Sequence, residues 1–170
     1  LSNHRDASIQ KRARALFAPL EAGDRMQIHE RLRGAVLPRS GNAADGRRTF
    51  SKNCATCHTF DGAGGNLGPD LTGIRNQPAE AILLHVIVPD YEITPGYYAY
   101  VVETRDGRTV VGRLESEAPN SVTVRDASSQ QHVILRSQIV SMTASPHSLM
   151  PNELERVMSE QELADLKAQA

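Results

Sequence analysis

Two cysteines and a histidine within five residues, Cys54-Ala55-Thr56-Cys57-His58, carry the most specific chemistry in this chain. C-x-x-C-H is the attachment spacing of a c-type haem. Thiols three positions apart lie on one face of a helical turn, where both can add to the vinyl groups of one porphyrin. The imidazole directly after Cys57 then falls beneath the iron as its proximal ligand. The same thiol spacing also serves thioredoxin-like redox sites, which want a βαβ setting, and structural zinc sites, which want four N/S ligands. Neither fits, because Cys54 and Cys57 are the only cysteines and no βαβ pattern surrounds them. The expectation is one haem c, bound covalently through Cys54 and Cys57, with His58 on the metal.

The sixth ligand follows by elimination among Met26, Met142, Met150, Met158, His4, His29, His85, His132 and His147. Met26 and His29 sit in an N-terminal helical pattern ahead of the motif, where packing is the default. His85 lies inside an apolar helix between Leu84 and Val86. His132 and Met142 fall in β-like alternation, and Met158 just before a C-terminal helix reads as a core filler. Met150 stands apart: Ser148-Leu149-Met150-Pro151 is a loop between the last strand and the last helix, and Pro151 biases Met150 toward extended geometry. Met150 is the favoured ligand, with His147 the runner-up, close enough to replace it by a small loop shift.

Several elements must position these groups. Asp45 reads as the N-cap of a helix entering the motif, with Gly46 and Phe50 on one face at i and i+4. Asp61-Gly62-Ala63-Gly64-Gly65-Asn66 reads as a flexible loop, followed by a rigid turn at Gly68-Pro69-Asp70-Leu71. Pro69 has no N–H, but its carbonyl remains an acceptor. Arg75, after the Gly73-Ile74 turn, is placed to reach a haem propionate. Ala79 to Val88 is a helix opened by Pro78, and Ser159-Glu160-Gln161-Glu162 is a capping box for a last helix. Between them, Tyr98 to Thr104, Thr109 to Leu114, Val122 to Val124, Val133 to Leu135 and Ile139 to Met142 alternate as short strands. Asp106-Gly107 is a strong hairpin signal. These strands predict a small twisted sheet or partly closed barrel inserted at about 97–144.

At 170 residues the chain suits one domain or a small domain with an appendage. Aromatics are scarce and Trp is absent, so a buried porphyrin would supply much of the missing apolar area. No stretch approaches the roughly 18 apolar residues of a membrane span. The opening Leu1-Ser2-Asn3, with no signal peptide and no initiator Met, reads as a mature product or an excised piece. Covalent haem attachment takes place outside the cytoplasm, which implies a periplasmic address.

Taken in order, Cys54 to His58, Gly62-Ala63-Gly64, Gly68 to Ile74, Ile93-Thr94-Pro95-Gly96-Tyr97, Asp106-Gly107-Arg108, Ser148 to Pro151 and Glu162 to Leu166 resemble the Planctomycete–Verrucomicrobium-type haem-binding domain. That family is a class I cytochrome c with strands inserted before its Met-Pro loop, and the resemblance runs from Asp45 to the C-terminus. It implies a mainly α cytochrome c fold with an inserted antiparallel sheet, α+β overall. It implies His58 and Met150 as axial ligands, the Pro69 carbonyl as acceptor for the His58 Nδ1 proton, and a crossing of the first and last helices at Gly46 and Phe50. Such domains often follow dehydrogenase domains and helical repeats in exported proteins. Residues 1–40, with Ile9, Ala13, Leu16, Phe17, Met26 and Leu32 at helical spacing, accordingly read as a helical extension or the tail of an upstream domain, and 41–170 as the cytochrome domain. One departure is that Gln169-Ala170 stand where the family usually carries an aromatic.

Charge is uneven: residues 1–52 carry 11 Lys/Arg against 5 Asp/Glu, and residues 53–170 carry 8 against 15. A solvated surface accounts for most of this, and the basic residues are not interleaved with aromatics as nucleic-acid binding would want. The functional expectation is a one-electron carrier serving a redox partner protein or an upstream dehydrogenase domain, not an enzyme. A gas-binding or sensing haem with a labile sixth ligand is the alternative. A dihaem peroxidase is excluded by the single C-x-x-C-H.

Overall fold

The computed structural model describes residues 22–169. Ile9, Ala13, Leu16 and Phe17 of the expected extension, and His4, lie outside the described residues. Four helices are described: α1 Ala22–Val36, α2 Ala43–Asn53, α3 Ala79–Ile87 and α4 Glu160–Gln169. A two-stranded ribbon, β1 Thr59–Phe60 with β2 Ala63–Gly64, follows the cysteine motif. The inserted sheet has five antiparallel strands, β3 Ala99–Thr104, β4 Thr109–Glu117, β5 Ser121–Asp126, β6 Gln131–Leu135 and β7 Ile139–Ala144. Their order is β6-β5-β4-β3-β7.

Each part buries its own apolar face. Leu32 and Val36 of α1, Leu83 and Ile87 of α3, and Met158, Leu163 and Ala164 form one helical core. Val102, Val110, Val122, Val124 and Ile134 form a second core on one face of the sheet. Strand alternation sets the second core, as Val110 is buried while Val111 is exposed, and Ile134 is buried between exposed Val133 and Leu135. Residues 22–36 thus share one core with the helices that follow the motif.

Helices α2 and α4 meet at Gly46, the glycine of the expected pair, while Phe50 packs on Phe60. A Cβ on Gly46 would collide with the carbonyl oxygen of Asp165 in α4, and one on Gly41 with that of Ala164. Backbones meet that closely only where a side chain is missing. Buried Asp165 adds a tie, accepting the Asn42 N–H at 2.8 Å. The capping box also forms: the Glu162 carboxylate accepts the Ser159 N–H at 2.7 Å, while Ser159 Oγ accepts the Glu162 N–H at 3.2 Å.

Two local readings are corrected. The N-cap of α2 is Asn42, not Asp45: Asn42 Oδ1 accepts the N–H groups of Ala44 and Asp45 at 2.9 and 3.2 Å. Asp45 falls in the first turn, where its charge suits the positive helix end, and pairs with Arg48. Asp61 to Gly65 is also not a plain loop. Asp61 and Gly62 both take positive φ, 50° and 79°, the geometry of a tight hairpin turn, which folds Phe60 back onto Ala63.

Candidate haem-binding site

The end of α2 delivers the two thiols. Cys54 caps the helix, its N–H donating to Phe50 O at 2.8 Å. A further turn follows, with the Cys57 and His58 N–H groups donating to Cys54 O at 3.0 and 2.9 Å. Cys54 and Cys57 are therefore neighbours on one turn, and both are unpaired. Burial, and then the proximity of Cys57, push the Cys54 thiol up to about 11. Burial raises Cys57 as well. Redox-active thiols are lowered instead, so these are not poised for disulfide exchange. No three His, Cys, Asp or Glu side chains converge among the described residues.

The segment after the motif builds a seat for His58. Gly65 N–H donates to Ala55 O and Gly68 N–H to Cys57 O, each at 2.7 Å. Gly64 sits at φ 121°, and its missing side chain lets the ribbon lie against the His58 carbonyl. The Gly68 backbone lies on the imidazole itself, where a Cβ would run into Cε1. His58 Nδ1 donates to Pro69 O at 2.8 Å, as the resemblance implies. That bond fixes the tautomer and leaves Nε2 as the free donor atom. Burial lowers the His58 pKa, opposed by the Pro69 bond, so the ring is held neutral, as a metal ligand must be. Two adjacent protonated thiols beside one oriented imidazole fit the haem c donor set. We expect Gly68→Ala to tilt the imidazole and weaken low-spin ligation, visible as a high-spin fraction in the oxidised absorption spectrum.

The other sequence candidates separate. Met158 is buried in the helical core and Met26 packs against it; Met142 packs against the sheet core. His132 Nε2 pairs with Asp126 at 2.7 Å, and His85 stands edge-on to Tyr91 with ring centroids 6.5 Å apart. His29 is buried in α1. Met150 is the one described thioether in neither core and is half-buried. Arg75 Nη2 donates to Asp61 at 2.7 Å, and its guanidinium lies 4.9 Å over the Phe60 ring.

Two positioning residues were not legible in the sequence. Asp90, in the turn after α3, holds the loop that carries Met150: its Oδ1 accepts the Ser148 N–H at 2.6 Å and its Oδ2 lies 2.9 Å from His147 Nδ1. Arg25 of α1 is buried and forms a two-pronged pair with Glu155, at 2.7 and 2.8 Å, just beyond the same loop. It also donates to the carbonyl of Ile87 at the end of α3.

Comparison with known proteins bears on the cofactor. Residues 41–89 match the family described as cytochrome C oxidase, cbb3-type, subunit III. A "Cytochrome c-553-like" protein of Synechocystis sp. is 34% identical over 67 residues, covering 35% of this chain. The chain spans 63% of that relative's length. Over this segment the chain is similar to cytochrome c-type proteins, and the cofactor that Cys54 and Cys57 take is covalently bound haem c.

Proposed function

We propose that this protein is a monohaem one-electron carrier whose iron is held by His58 and Met150. The observation that carries the reading is the fixed His58–Pro69 bond, which commits one imidazole nitrogen to the protein and leaves the other for the metal. Bound haem supplies a ferric/ferrous couple. The chain's part is to keep both axial groups in place through the change of charge, because an unchanged ligand set minimises rearrangement. Pro69 orients the imidazole, and the Met150 N–H is held by Ser148 Oγ at 3.1 Å. Arg75 gives Asp61 one of its five N–H donors, and the others serve a haem propionate.

The electron partner is a separate redox protein or an upstream dehydrogenase domain of the same polypeptide, outside the cytoplasm. Among the described residues no helix is long and apolar enough to cross a membrane. The resemblance to the Planctomycete–Verrucomicrobium-type domain, with its strands inserted ahead of the Met-Pro loop, supports the assignment of Met150.

Met150→Ala tests the ligation. The variant should lose the weak far-red sulfur-to-iron band, fall in reduction potential and bind carbon monoxide or cyanide that the unmodified protein excludes. An unchanged spectrum and potential would move the sixth ligand elsewhere. Tight reversible gas binding or rapid peroxide turnover by the unmodified protein would reject the carrier reading.

A further inference from the structure

We propose that Asp90 is the residue that sets Met150, rather than His147, as the sixth ligand. This rests on the Met150 reading above and goes beyond it, since the hydrogen bonds of Asp90 go to His147 and Ser148. Asp90 is anchored by its neighbours: Val88 and Pro89 are buried, and the Tyr91 N–H closes the turn on Val88 O at 2.9 Å. Its carboxylate, 26% exposed, is therefore fixed to the end of α3. From there it takes two successive residues of the opposite loop, the His147 ring and the Ser148 N–H. Ser148 Oγ then accepts the Met150 N–H, so one carboxylate and one hydroxyl fix the backbone on which the thioether stands.

The other side of the loop is tied to the sheet. The His147 N–H donates to Ser145 Oγ at 3.0 Å, and the Ser145 N–H to Ala99 O at 2.8 Å in β3. His147 is half exposed, and Asp90 is the partner of its ring. Hydrogen bonds to a charged acceptor are the stronger kind, so the carboxylate does two things at once. It pins the Met150 backbone, and it engages the ring nitrogen of the imidazole three positions earlier. Without it, a soft thioether and a nearby imidazole compete for the same position, and imidazole is a good iron ligand.

The test compares the loaded, full-length protein with Asp90→Ala, Asp90→Asn, Ser148→Ala and the double variant Asp90→Ala/His147→Ala, reading the far-red sulfur-to-iron band and the rate of cyanide binding. Asp90→Ala should weaken the band and bind cyanide roughly tenfold faster, equivalent to about 1.4 kcal/mol, with part of the iron in a low-spin bis-histidine state. Asp90→Asn keeps an acceptor for the Ser148 N–H and should retain most of the band. Ser148→Ala should speed cyanide binding with no bis-histidine fraction. The double variant should bind cyanide fast and also lack the bis-histidine signature. An Asp90→Ala protein with the normal band and cyanide rate would overturn the proposal, as would a bis-histidine signature that survives in the double variant. If the unmodified protein lacks the band, the Met150 reading itself fails and takes this one with it, which is a different result from a normal parent and an indifferent variant. Should Asp90→Ala not fold, Asp90→Asn and Ser148→Ala decide, and unchanged cyanide rates in both would overturn the role.

Discussion

Replacing Cys54 and Cys57 together by alanine should leave a chain with no sharp thermal transition. Among the described residues the helical core is built from Leu, Ile, Val, Met and Ala, with no aromatic ring. Phe50 and Phe60, the buried aromatics, sit instead on either side of the motif, with ring centroids 5.5 Å apart. Helices this short are marginal without an apolar surface to pack on, and haem c is the large apolar group available to them. A domain of this size has about 5–15 kcal/mol of stability in total, so losing the haem removes a share comparable with the whole. Calorimetry of the double variant, beside the loaded protein, reads the effect directly. A cooperative transition within a few degrees of the loaded protein would show that the chain folds on its own core.

Arg25→Ala should destabilise the loaded protein by about 3–5 kcal/mol, because it strands a buried carboxylate. The Arg25 and Glu155 side chains are 3% and 7% exposed. Burial pushes the Glu155 carboxyl up, but the hydrogen bonds from Arg25 and from its own backbone, with the charges of Arg25 and Arg156, outweigh it and hold it below its ordinary 4.5. A lowered folded-state value means stabilisation that is fully present above about pH 4.5 and is lost as the pH falls through the folded value. In the variant the same carboxyl is buried without a cation, which favours its protonated form. The stability gap between parent and variant should therefore be widest near neutrality and narrow on acidification. Denaturant titrations at pH 7 and near pH 4 measure both, and a gap that does not change with pH would remove Glu155 from the account.

Local chemistry was legible in the residues, and contacts between distant charges were not. Asp106-Gly107 announced its hairpin because runs rich in Val and Thr flank it on both sides, and Gly107 takes the expected positive φ of 83°. Asp61-Gly62 closes a tighter hairpin with two positive φ angles, yet its strands are two residues long and carry no alternation to read. Asn42 and Asp45 are both good caps three positions apart, and only the fold decides that Ala43 starts the helix. Ser159 and Glu162 were readable because a capping box is closed within four residues. Asp90 and Arg25 carry no local signal: one meets its partners 57 and 58 positions away, the other 130. Arg25 also lies in a stretch that reads as the tail of something upstream, whereas Leu32 and Val36 beside it are part of the core.

The crossing of α2 with α4 has a consequence for the order in which the chain folds. Asn42 and Asp165, which meet there, are 123 positions apart. Strands β3, β4 and β5, by contrast, each pair with the next one along the chain, so the meander can form while α4 is still unplaced. Pairing Tyr100 with Ala144 shortens the remaining loop to roughly 80 residues, yet closure entropy grows only logarithmically, so this eases the crossing by no more than about 0.4 kcal/mol. The sheet therefore forms early without hurrying the helices together. Non-local contacts are the slow ones, which makes the α2–α4 crossing the late step. The cysteine turn at the end of α2, closed by its own local bonds, can thus form before α4 arrives to close over Gly46.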